Sequence, residues 1–154
     1  MKKSILFTVT NDLVFDQRMF RICSSLAQAG YPVTLVGRRH PSSLPLKDLP
    51  YQQVRIPCFF QKGLGFYAEY NLRLFFYLLR QKADIIGAID LDTALPCLLA
   101  SRIRSTQRLY DAHELFCEMK EVSTRPVVHA VWKWIEKLTL PHFKYGYTVN
   151  QPIA

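Results

Sequence analysis

The sequence predicts an α/β domain built on an open, mostly parallel sheet with helices on both faces. Three observations carry that prediction. Short apolar runs rich in β-forming residues, SILFTVT at 4–10 and DIIGAID at 84–90, read as strands buried on both faces. Stretches of helical length separate such runs, and several of them are amphipathic. The two kinds of segment alternate through all 154 residues, with no internal repeat, low-complexity tract or domain boundary. Parallel neighbours need a crossover of a dozen or more residues, and a helix is the usual crossover.

Each element follows from local chemistry. After the first strand comes the loop NDLVF, and Asp16 is placed as the N-cap of a helix. Phe15 before it and Phe20 after it have the spacing of a hydrophobic staple. Met19, Cys23 and Leu26 form the inner stripe of that helix, and Gly30 ends it in a left-handed conformation. The second strand is PVTLVGR. RRHPSSLPLKDLP is an exposed connection, and YQQVRIPCFF a third strand that Pro57 makes an edge or irregular one. Residues 66–82 are helical, with Leu72, Phe75, Phe76 and Leu79 as the expected inner face. After the strand at 84–90, LDTALPCLLASRIR is a helix with Pro96 in its early turns, and QRLYDAH is the next strand. Residues 126–143 form an amphipathic helix containing Trp132, Trp134 and Ile135. YGYTVN is the last strand, and Pro152 stands where a further helix would begin, so the ending reads as a truncation.

With 49% hydrophobic and 21% charged residues, the chain can bury a core and falls outside the disordered class. A formal net charge of +8 and a pI near 9.5 favour an anionic partner: a membrane surface, a phosphorylated substrate or nucleic acid. The charge is dispersed, and no nucleic-acid-binding motif accompanies it. Cys23, Cys58, Cys97 and Cys117 have neither CxxC nor metal-ligand spacing, which points to a reducing compartment and no zinc. The N-terminal apolar stretch is too short for a signal peptide, and no segment has the roughly 18–20 apolar residues of a membrane span.

Ligands of such sheets bind at the carboxyl ends of the strands, so the loops there are the candidate sites. The first, Asn11 to Arg18, lacks the glycines of a dinucleotide fingerprint, which argues against a nicotinamide or flavin domain. Asn11, Asp12, Asp16 and Arg18 could contact hydroxyl or phosphate groups; the plainer alternatives are a capping Asp16 and a surface Arg18. The second loop, IDLDTAL, has the Asp-x-Asp-x-Thr pattern of haloacid-dehalogenase-type phosphatases, with Asp90 as nucleophile and Asp92 as general acid and base. No downstream acidic pair supplies the metal site of that chemistry, and a capping role for Asp92 is the plainer alternative. The third loop, LYDAHELFCE, delivers Asp111, His113 and Glu114 to one crevice, against the alternative of a structurally satisfied histidine.

Taken in order, NDLVFDQRMFRICSSLAQAGYPVTLVGR, ADIIGAIDLDTALPCLLASRIR, RLYDAHELF and YGYTVN resemble the N-terminal domain of glycosyltransferase-4-type enzymes, which are retaining GT-B glycosyltransferases. The resemblance spans nearly the whole chain. It implies that residues 1–154 are a Rossmann-like, acceptor-side half of a GT-B fold, with the C-terminal donor-binding domain absent from this chain. It further implies hexosyl transfer from a nucleotide-sugar donor to a glycan or lipid-linked acceptor of the cell-surface polysaccharide type. His113 matches the family's histidine that contacts the donor sugar across the cleft. Asn11, Asp16 and Arg18 match the first-strand loop that lines it, and Asp92 and Glu114 on the neighbouring loops complete the candidate substrate-binding set. The chain departs from members that carry a glycine pair in the first loop, the feature that permits a direct backbone–phosphate contact there.

No metal or other cofactor is expected, since the nucleotide-sugar is a substrate. The domain by itself is expected to be inactive, because stabilising a departing diphosphate and excluding water need both halves. The expected location is cytoplasmic, and no nucleic-acid partner is expected. The aromatic, basic segment at 66–82 suggests peripheral contact with an anionic inner membrane face, against the plainer alternative that its aromatics pack the helix on the sheet. The rivals are a stand-alone Rossmann-like binding module and the phosphatase.

Overall fold

A computed structural model of the chain describes residues 2–148. Six strands form one sheet: β1 (Ile5–Thr8), β2 (Val33–Arg39), β3 (Gln52–Pro57), β4 (Ile85–Ile89), β5 (Gln107–Ala112) and β6 (Tyr145–Thr148). Their spatial order is β3-β2-β1-β4-β5-β6, and every pairing is parallel. The helices are α1 (Gln17–Gln28), α2 (Gly63–Arg80), α3 (Ala94–Arg104), the short α4 (Lys120–Ser123) and α5 (Pro126–Thr139). The expected fold class is therefore the observed one, an open Rossmann-like sheet with helices on both faces. Pro57 lies on the edge strand β3, where its missing N–H leaves no ladder bond broken in the interior. The expected helix at Pro152 lies outside the described residues.

Strand side chains alternate between two cores, as a period of two requires. Leu6, Val36, Ile86 and Ala88 pack beneath α2, α3 and α5 with Tyr70, Leu74, Leu78, Cys97 and Trp132. Ile5, Phe7, Val33, Leu35 and Ile89 face α1 through Met19 and Cys23. Trp132 anchors α5 by edge-on contacts with Tyr67, at 5.1 Å, and Phe116, at 4.8 Å. Asp16 does cap α1, accepting the Met19 N–H at 2.9 Å, and Gly30 follows the helix at φ 84°.

Three local expectations are corrected. The inner face of α2 is Phe66, Tyr70, Leu74 and Leu78, whereas Leu72 and Phe76 are exposed. This helix is apolar around most of its circumference, so composition alone does not set its phase. Phe15 and Phe20 are both exposed instead of being buried as a staple. Asp92 caps nothing: Leu91–Thr93 forms a 3-10 turn ahead of α3, and the Asp92 carboxylate accepts the Thr10 hydroxyl from the loop after β1.

Candidate functional site

Because all six strands run the same way, the loops after β1, β4 and β5 share one rim. β1 and β4 are adjacent at the point where the strand order reverses, the usual crevice for a ligand in open α/β sheets. The loops are also bonded to one another. Thr10 reaches Asp92; Arg18, in the first turn of α1, reaches Asp111 at the end of β5; and Asp90, after β4, holds the turn that carries His113.

The first loop folds tightly over β2. The Arg38 N–H donates to the Asn11 carbonyl at 3.1 Å, and a Cβ on Gly37 would stand 2.6 Å from that oxygen and 2.4 Å from Leu13 Cδ2. Only glycine permits the approach. Asp12 is held by Arg55 at 2.6 Å, by the Ser43 hydroxyl and by the Val14 N–H at 3.3 Å, and these donors keep its carboxyl below the usual range despite the opposing cost of burial. Asp12 is thus a loop brace. The Asn11 side chain is exposed and forms no hydrogen bond among the described residues.

Arg18 is committed as well. Its Nη1 and Nη2 donate to Asp111 Oδ2 and Oδ1, each at 2.6 Å, and Asp111 has no solvent exposure. A planar fork on a planar carboxylate is the strongest geometry such a pair adopts. The sequence suggested Arg18 as a substrate contact, but its guanidinium fastens α1 to β5, with the Tyr147 ring 5.8 Å away. Asp16 caps α1 with one oxygen. Asp92 is buried at 8% exposure, which pushes its carboxyl up to about 7 against the lowering effect of the Thr10 hydroxyl. Its carbonyl accepts the Asn71 amide at 2.9 Å, tying α2 to the same turn.

Asp90 has backbone angles φ 60° and ψ 176°. That region is essentially reserved for glycine and costs about 1–3 kcal/mol elsewhere. Its N–H donates to the Asp111 carbonyl at 2.9 Å, and its Oδ1 accepts the N–H groups of His113 at 2.8 Å and Glu114 at 3.0 Å. Burial pushes the carboxyl up to about 6, and the two N–H donors and His113 pull the other way. The His113 side chain is 43% exposed, with Nδ1 3.9 Å from Asp90 Oδ2. The Glu114 side chain is exposed beside a cleft of about 380 Å³ walled by Leu91, Tyr110, Phe116 and Glu136.

The structure therefore gathers at one rim all six residues of the candidate donor- and substrate-binding set, Asn11, Asp16, Arg18, Asp92, His113 and Glu114. It leaves Asn11, His113 and Glu114 with side chains turned to solvent, and uses Asp16, Arg18 and Asp92 internally. The same geometry weighs against the phosphatase chemistry. Asp90 Oδ1 is occupied by two backbone N–H groups in holding the turn, and Asp92, the expected acid and base, is buried. No cluster of three metal-ligating side chains occurs among the described residues. The role of Asp90 as a loop holder was not legible beforehand, since neither its backbone angle nor its partners 23 and 24 residues away leave a local signal. No helix among the described residues is long and apolar enough to cross a membrane.

No family model matches the chain, and no curated protein matches its sequence. Solved structures do match its fold. Acinetobacter baumannii MurG aligns over 100% of this chain at TM-score 0.54 and 14% identity. The calicheamicin glycosyltransferase CalG4 aligns over 90% at TM-score 0.52 and 13% identity. A Listeria monocytogenes protein described as a UDP-N-acetylglucosamine 2-epimerase aligns over 96% at TM-score 0.54 and 12% identity. The chain spans about two-fifths of each of them, 43%, 41% and 39% respectively. At these identities the likeness establishes architecture: this chain has the Rossmann-like fold found in GT-B domains.

Proposed function

We propose that the chain is the acceptor-side domain of a retaining, glycosyltransferase-4-type GT-B enzyme. Such an enzyme moves a hexose from a nucleotide-sugar donor to a glycan or lipid-linked acceptor in polysaccharide assembly at the cytoplasmic face of a membrane. The observation that carries this reading is the placement of His113 and Asn11. Both are solvent-facing on one rim beside the strand-order reversal, while the neighbouring acids and Arg18 are fastened into the wall behind them. A wall so built holds its exposed groups in place for a ligand lying across it. In this reading His113 meets the donor sugar, Asn11 and Glu114 meet acceptor hydroxyls, and a second domain supplies the diphosphate contacts. No metal or cofactor takes part. The fold likeness to two glycosyltransferases supports the class of enzyme, and the resemblance in sequence order supports the retaining type.

The acceptor is lipid-linked in this proposal, because the loop between β3 and α2 presents Phe59 and Phe60 at 86% and 60% exposure beside the exposed Lys62. Glu69 accepts the N–H groups of both phenylalanines, and Arg73 lies 5.2 Å from the Phe59 ring. Exposed aromatics fixed next to cations suit an anionic lipid surface.

The test is sugar transfer by the enzyme carrying both domains. His113→Ala should lower kcat by a factor on the order of 10², the loss of one positioned polar contact to the reacting sugar. Wild-type turnover would remove the role. Analysis of products also separates a second reading, suggested by the epimerase likeness: a nucleotide-sugar altered in configuration but never transferred would identify an epimerase.

A further inference from the structure

We infer that Asp90 is a positioning residue: its carboxylate fixes the turn bearing His113 and Glu114, and its state of ionisation sets how firmly those two residues are presented at the rim. That His113 meets a donor sugar rests on the function proposed above; the hold of Asp90 on the His113 turn rests on the hydrogen bonds of that turn and is independent of that reading.

Two observations carry the inference independently. The first is the backbone. A glycine would adopt φ 60°, ψ 176° without strain, yet the position holds a β-carbon and a carboxyl group. A conformation of that kind persists only where its surroundings over-determine it. Here they do so from both sides, through the Asp90 N–H on the Asp111 carbonyl and through Oδ1 on the N–H groups of His113 and Glu114. The second is topological. Asp90 follows β4 and His113 follows β5, so the carboxylate bridges two strand ends just beyond the last β4–β5 pair, Ile89 and Asp111. The turn has no other side-chain acceptor for these two N–H groups among the described residues.

An ionised carboxylate accepts both N–H groups strongly, and a protonated one accepts them weakly while gaining an O–H of its own. The charged and titratable groups facing it are His113 and Glu114 on the turn, Asp92 on the 3-10 turn, Arg18 on α1 and Tyr110 on β5. Arg18 is neutralised by Asp111, so it does not hold Asp90 ionised on its own.

The experiment is amide NMR on the 15N-labelled full chain, which needs neither donor nor acceptor and so stands or falls separately from the transferase reading. The His113 and Glu114 amide signals should move together with pH, with a shared midpoint near 6, where burial places the Asp90 carboxyl. Asp90→Asn keeps an acceptor oxygen without a titrating proton, and should abolish that shared step while leaving both signals dispersed. Asp90→Gly removes the acceptor and the strain together. It should remain folded, with a melting temperature no lower than wild type, while the two amides exchange with solvent at least tenfold faster. His113→Gln and Asp92→Asn are titrated alongside to assign the step, and the Glu114 signal must retain it in both. A shared step that survives in Asp90→Asn, or wild-type exchange rates in Asp90→Gly, would overturn the inference.

Discussion

Replacing Arg18 by alanine separates the role read from sequence from the role seen in the structure. The guanidinium spans the carboxylate of Asp111 with two 2.6 Å bonds, and Asp111 is entirely shielded from solvent. Removing one partner of a buried pair strands the other charge, which costs about 3–5 kcal/mol. Arg18 itself is 22% exposed, so water can enter the space it leaves and recover part of that cost. The lower end, about 3 kcal/mol, is the expected loss. In a chain of 154 residues each kcal/mol lowers the melting temperature by about 2–4 °C, giving a drop of roughly 6–12 °C. Equilibrium urea unfolding and thermal melts followed by far-UV circular dichroism read both quantities. Adding Asp111→Asn should return at least half of the loss, since a neutral amide leaves no stranded charge. A loss below about 1 kcal/mol would refute the argument. If nucleotide-sugar binding weakened in such a stable variant, Arg18 would be a ligand contact after all.

Stability should also fall as the solution is made less acidic from about pH 4 to pH 7. Asp90 and Asp92 have folded-state values raised to about 6 and about 7, so the folded chain holds protons that the unfolded chain releases near its ordinary carboxyl value, and their stabilisation is lost through that window. Asp12 is lowered and acts in the opposite sense, adding stability above about pH 4 that disappears on further acidification. Asp92→Asn should flatten the upper part of the profile and raise stability at pH 8 by at least about 1 kcal/mol; an unchanged slope in urea titrations across that range would sink the assignment. Gly37→Ala would bring a Cβ onto the Asn11 carbonyl and Leu13, costing about 1–3 kcal/mol in the same assay, and a neutral result would show that the first loop is free to move. Phe59→Ser combined with Phe60→Ser should abolish sedimentation with anionic liposomes at low salt without lowering the melting temperature, and retained sedimentation would place lipid contact elsewhere.

The parallel sheet was legible because β1 and β4 are buried on both faces, and such strands show as unbroken apolar runs that alternation cannot disguise. Asp16 and Gly30 were legible for a different reason: caps act within three residues, so their chemistry is local. The face of α2 was not, because Leu72, Phe75 and Phe76 are as apolar as Leu74 and Leu78. The buried row includes Tyr70, whose hydroxyl donates to the Val9 carbonyl, a partner 61 residues away that leaves no local signal. At the rim, the gathering of Asn11, Asp92 and His113 followed from strand direction. Which of the rim residues remain available did not follow. Arg18 and Asp111 are 93 positions apart, and every exposed-looking cation has several acids it could meet. Only the tertiary structure tells a fastening from a contact.

β1, the earliest in sequence of the six strands, lies in the interior of the sheet, and this orders events on the ribosome. Ile5 pairs with Val33 on one side but with Ile85 on the other, so β1 is one-sided until some eighty more residues have been made. During that interval its unpaired N–H and C=O groups offer a template to any passing extended segment. Loop closure over that distance also makes the second pairing slow relative to local helix formation. Synthesis of this protein therefore includes a period of vulnerability to misassociation that ends only when β4 emerges, and substitutions that delay β4 should lower the yield of soluble protein more than their effect on the finished fold would suggest.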